Sequence, residues 1–125
     1  MRFVSTRIHG MADWLMGTLL IMLPALVGLD SSQPEGMVPM GIGIAGLVVT
    51  FFTDHELGVM RRIPMLGHLS VDAFAGALLA ASPWLFGFAD RTWIPHVTLG
   101  LVEVVAALVT KLHPADARHG SPAQA

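Results

Sequence analysis

The chain has 125 residues, of which 54% are hydrophobic and 13% charged, with a formal net charge of −2 and a mean hydropathy of +0.66. A soluble domain carries about 25% charged residues, so this much apolar surface points to a membrane, and the charge offers nothing to a nucleic acid. The absence of cysteine excludes disulfides, thiolate chemistry and thiolate metal sites.

Residues 1–11 form a short basic lead-in, expected on the cytoplasmic side. A first transmembrane hairpin is expected over 12–53: a span to Leu29, the polar loop DSSQPEG, then a Gly-rich span ending at Thr53. The first span carries Asp13 and recurs later as an internal helix, so it is expected to be retained rather than cleaved as a secretory signal. Residues 54–68 form a cytoplasmic linker whose segment LGVMRRIPML is expected to lie along the membrane surface. A second hairpin covers 69–112, and 113–125 form a polar cytoplasmic tail, expected to be disordered at its end. Each span is near the roughly 20 residues a bilayer-crossing helix needs. Nothing alternates as barrel strands would. Tyrosine is absent, so interfacial anchoring falls to Trp14, Trp84 and Trp93.

The chain contains a duplication. A shift of 59 residues carries His9 onto His68, Asp13 onto Asp72, Gly17 onto Gly76, Pro24 onto Pro83 and Gly28 onto Gly87. The shared skeleton is H-x3-D-x3-G-x6-P-x3-G. The second and fourth spans correspond only loosely, each with a proline near its start, Pro39 and Pro95, and no register is assigned between them. Arg2, Arg7, Arg61, Arg62, Lys111 and Arg118 fall on one side and Arg91 on the other. Positive charge marks the cytoplasmic side, so both ends and the linker should face inward and the hairpins are parallel repeats. The fold class is all-α, an integral membrane four-helix bundle made of two tandem hairpins.

At Ser82-Pro83-Trp84, with Asp72, Gly76 and Gly87 around it, the second hairpin resembles the SPW-repeat family of small prokaryotic membrane proteins. That resemblance implies a repeat built of two transmembrane helices with Ser-Pro-Trp in the first. The first copy departs from it, with Leu23-Pro24-Ala25 in place of the tripeptide. The family implies a fold and no activity. Taken alone, Ser82, Pro83, Trp84 and Pro24 read as structural: proline kinks the helix and frees a carbonyl, serine repairs it, and tryptophan anchors at the interface.

The intramembrane polar residues are His9, Asp13, His68, Asp72, His96 and Glu103. His9 and Asp13, like His68 and Asp72, stand four apart on one helix face. They read as hydrogen bonds tying the halves together near the repeat axis, or as a cytoplasmic-side proton or metal site. His55 and His113 are expected at the same level. No two histidines share helical spacing on one helix, so no metal ligand is assigned. Glu103 lies deepest, with His96 two turns before it on roughly the same face, and an acid there must give up its charge or be paired.

No nucleotide loop, nucleophile elbow or metalloprotease motif is present, so no catalytic residue, cofactor or enzymatic activity is expected. The leading functional expectation is an accessory or structural protein of the prokaryotic cytoplasmic membrane. It would act by helix contact with itself or with other membrane subunits, in lipid. The alternative is a small proton or cation transporter or channel using Glu103. A haem- or pigment-binding subunit is a third.

Overall fold

A computed structural model describes residues 1–114 and contains four helices: α1 (Thr6–Val27), α2 (Pro34–Phe52), α3 (Met65–Leu85) and α4 (Ile94–Val109). The expected disorder of the tail's end falls outside the described residues. The expected starts of the first and third spans, at 12 and 69, fall inside helices. α1 begins at Thr6, inside the lead-in expected over 1–11, because Ser5 caps it, its side chain accepting from Ile8 N–H at 3.2 Å. α3 begins at Met65, inside the linker. Hydropathy locates the apolar stretch, whereas capping locates the helix end.

α1, α2 and α3 are each long and apolar enough to cross a membrane. α4 is a shorter apolar helix of 16 residues, ending at Val109 rather than 112. It still runs from one end of the bundle to the other, beside α3. Its first turn touches the first turn of α2, where His96 Nε2 donates to Glu35 O at 2.8 Å. Its end meets the N-terminal segment, where Val4 pairs with Thr110.

Each hairpin closes on glycine. A Cβ at Gly43 of α2 would lie 2.6 Å from Gly17 O of α1, and a Cβ at Gly76 of α3 would lie 2.7 Å from Gly100 O of α4. Backbones this close exclude any side chain. Gly17 and Gly76 correspond by 59 residues, but Gly43 and Gly100 correspond by 57. The same offset relates Val48 to Val105 and Thr53 to Thr110. The even helices therefore have a register after all, one residue away from aligning Pro39 with Pro95.

The duplication extends to the segments between helices. After α2, Arg62 and Ile63 N–H both bond Phe52 O at 2.8 Å, and Asp54 N–H bonds Ile63 O at 2.8 Å. After α4, Phe3 and Val4 N–H bond Val109 O at 2.8 and 3.1 Å, and Lys111 N–H bonds Val4 O at 2.9 Å. The N-terminal segment thus follows α4 as the linker follows α2, and the bundle closes on itself in a ring. Arg2 completes that junction, its Nη1 donating to Ala107 O at 3.0 Å and Thr110 O at 2.6 Å, where the helix dipole favours a cation. The linker segment around Val59 and Met60 turns back on α2, both N–H groups bonding Phe51 O.

Candidate functional site

Two centres hold the polar residues, one at the end of the bundle that carries Arg2, Arg7, Arg61 and Arg62, the other at the far end.

At the basic end, the two copies of the His-x3-Asp pair meet. His9 Nε2 lies 3.0 Å from Asp72 Oδ2, and His68 Nε2 lies 3.0 Å from Asp13 Oδ2. The pairs within each helix complete a ring, His9 to Asp13 at 3.3 Å and His68 to Asp72 at 2.9 Å. Hydrogen bonds therefore run crosswise between the repeats. Both histidines are buried, and each aspartate side chain is a tenth exposed or less.

Outside the ring, each histidine meets a threonine that the sequence does not single out. Thr53 Oγ1 lies 2.8 Å from His68 Nδ1 and donates to Val49 O at 2.6 Å; Thr110 Oγ1 lies 2.9 Å from His9 Nδ1 and donates to Ala106 O at 2.7 Å. Each hydroxyl has one hydrogen, and the carbonyl takes it. Both Nδ1 atoms must therefore carry hydrogen and donate to threonine, which turns both Nε2 atoms toward the carboxylates. The signal for these threonines was their 57-residue offset, hidden by the unequal loops.

His55 joins the same level, with its ring centre 5.8 Å from that of His68. It is fully buried against Gly10, where a Cβ would lie 2.8 Å from the ring. Leu57 N–H donates to its Nδ1 at 3.0 Å, and its Nε2 has no partner. Burial, then the neighbouring His68, hold this linker imidazole below its ordinary pKa, against the opposing pull of Asp13 and Glu56. His113 is exposed and does not join the group.

A cavity of about 250 Å³ extends from the ring into the bundle, lined by Asp13, Asp72, Glu103, Thr50, Gly41 and Gly46 among others. Glu103 belongs here and not with His96. Although His96 lies two turns before Glu103 on roughly the same face, it turns to the first turn of α2, bonds Glu35 O and packs on Phe88, with ring centres 4.9 Å apart. Glu103 occupies the position equivalent to Gly46, so one copy supplies the acid and the other the space. Spacing within a single helix does not show ligands that meet only across the repeats. Across the repeats, His9, Asp13, His68 and Asp72 each bring a ligand atom within 4.8 Å of the others.

At the far end, Ser82 Oγ donates to Leu79 O at 2.7 Å. That is the carbonyl Pro83 leaves without its helical donor. In the first copy Leu23 stands in the serine's place and brings no hydroxyl. Pro24 O and Pro83 O accept from Leu29 and Phe88 N–H, both at 2.8 Å, around the left-handed turns at Gly28 (φ 72°) and Gly87 (φ 71°). Trp84 and Trp93 are exposed, with ring centres 6.4 Å apart. Glu35 latches the hairpins there, its Oε2 accepting from Arg91 Nη2 at 2.7 Å.

The architecture is that of a duplicated two-helix membrane repeat with Ser-Pro-Trp in one copy. The chain belongs to the SPW repeat family: the family model, SPW repeat domain, matches residues 7–110. No curated protein and no solved structure matches it significantly. It is a membrane protein, all-helical in its described residues.

Proposed function

We propose that this chain is a small cation-handling protein of the prokaryotic cytoplasmic membrane, a transporter or channel for protons or cations working through Glu103, and not an enzyme. The observation that carries this reading is the cavity. Three carboxylates from three helices, Asp13, Asp72 and Glu103, line one space of about 250 Å³, and no lysine or arginine lines it. An acid within a membrane span is costly and marks an ion or proton path. Gly41 and Gly46 keep the space open, since a Cβ at either would meet nothing. Both ends face the cytoplasm in this reading, supported by the basic residues gathered at one end. The test is flux in proteoliposomes under a proton or cation gradient. The wild type is expected to pass cations and Glu103→Gln to lose most of that flux; equal flux in the two rejects the reading.

A second reading is favoured by the same glycines. Gly41, Ala45 and Gly46 leave a small-residue face of α2 unfilled, which suits close approach of another helix. The chain would then act as an accessory subunit or homo-oligomer. This predicts co-purification of a partner or self-assembly in mild detergent, and a monodisperse monomer in detergent and in lipid contradicts it.

A further inference from the structure

We infer that His9, Asp13, His68 and Asp72 form a binding site for one divalent first-row transition-metal ion of the zinc class. This names the cation for the cation-handling reading and rests on that reading in treating the cavity beside Asp13 and Asp72 as its path.

The donor set carries the inference. It consists of two imidazole nitrogens and two carboxylate oxygens, one of each from either repeat. Metal–ligand bonds of about 2.0–2.2 Å place tetrahedral neighbours about 3.4 Å apart. One ligand atom from each residue lies within 4.8 Å of the other three, and the histidine–carboxylate contacts run from 2.9 to 3.3 Å, Asp13 meeting His9 through Oδ1 and His68 through Oδ2. The set is close to the size one ion needs, with Asp13 offering one of its two oxygens. The outer contacts are already those of a metal site: Thr53 and Thr110 fix hydrogen on both Nδ1 atoms, so both Nε2 atoms face the centre. Charge fits as well. A divalent ion taking the place of the two Nε2 protons leaves the buried site as neutral as the hydrogen-bonded ring, so binding introduces no unbalanced charge in lipid. Imidazole with carboxylate suits zinc-like ions, while calcium prefers six to eight oxygens and magnesium keeps several waters.

A second observation points to a ligand at this place. The environment of the ring is not symmetric. On one side Met65, Leu69, Ala107 and Leu112 pack as an apolar cluster. The offsets of 59 and 57 place Thr6, Gly10, Thr50 and His55 at the equivalent positions on the other side. There Thr6 donates to Glu56, at 2.7 Å to Oε2, and the buried His55 leaves its Nε2–H without an acceptor. One copy thus carries a polar lining beside the ring where the other carries an apolar one. The unsatisfied donor suits the water carried by an arriving ion.

The experiment uses the untagged full-length chain in mild detergent, stripped with chelator and titrated with Co²⁺. One Co²⁺ per chain is expected, with the visible absorption of a four-coordinate ion, displaced by one equivalent of Zn²⁺ and untouched by excess Mg²⁺. His68→Gln and Asp13→Asn are expected to weaken binding about 100-fold, and Thr53→Val about 10-fold. His96→Gln and His113→Gln should leave it unchanged. Less than one Co²⁺ per wild-type chain, a six-coordinate spectrum, or binding insensitive to the ring variants overturns the site. If the ring variants fail to fold, wild-type stoichiometry and spectrum decide alone. Cobalt bound without Glu103-dependent flux would reject transport and keep the site. Glu103-dependent proton flux without cobalt binding would reject the site and keep transport.

Discussion

Thr53 and Thr110 spend their hydrogens on helix carbonyls, and that small fact fixes the orientation of both histidines at the centre of this protein. The His-x3-Asp pairs were legible in the sequence because they recur 59 residues apart. Their crosswise bonding was not, because spacing along one helix says nothing about which copy a side chain will meet. Each ring member is buried against charge-bearing partners, so removing one leaves the others uncompensated. His9→Ala is expected to destabilise the folded chain by about 3 kcal/mol or more, measured as a shift in detergent unfolding. His55 gives a pH dependence. Its folded pKa lies below the ordinary 6.5, so the unfolded chain binds this proton first. The stability it contributes is full above about pH 6.5 and is lost as pH falls below that value. His55→Leu, which copies the equivalent Leu112, is expected to reduce the loss of unfolding midpoint between about pH 6.5 and 5. An unchanged acid-side slope would remove this account of His55.

At the scale of the helices, the glycines divide into two kinds that the sequence presents alike. Gly17, Gly43, Gly76 and Gly100 hold backbones together, whereas Gly41 and Gly46 leave space. Only the packing separates them, since all lie in apolar runs. Gly43→Ala and Gly100→Ala are expected to cost about 1–3 kcal/mol each, because the new methyl meets backbone that cannot move aside. Gly41→Ala should cost little, and unfolding midpoints in one detergent would show the difference. The register of α2 against α4 was illegible for a similar reason. Their sparse identities, Gly43 with Gly100, Val48 with Val105 and Thr53 with Thr110, are hidden by loops of unequal length. The Ser-Pro-Trp corner was more readable, because a proline and the hydroxyl that repairs it are neighbours in sequence.

Over the whole molecule, four helices from two hairpins followed from hydropathy and duplication alone. What hydropathy does not express is closure. The N-terminal segment completes α4 as the linker completes α2, and the ring of histidines and aspartates lies between these two junctions. Duplication then allows divergence: one copy keeps Gly46 and the other carries Glu103, one keeps an apolar cluster and the other a polar lining. Cation handling requires that water reach the space this divergence creates. The chain has no cysteine, so a single introduced thiol reports without background. Gly46→Cys in membrane vesicles, treated with a water-soluble thiol reagent, tests the central claim most directly. It should be labelled far faster than Val105→Cys, which is 56% exposed on the outer face of α4, where the claim expects lipid. Equal resistance of the two positions would mean the cavity is dry and would contradict a cation path through Glu103.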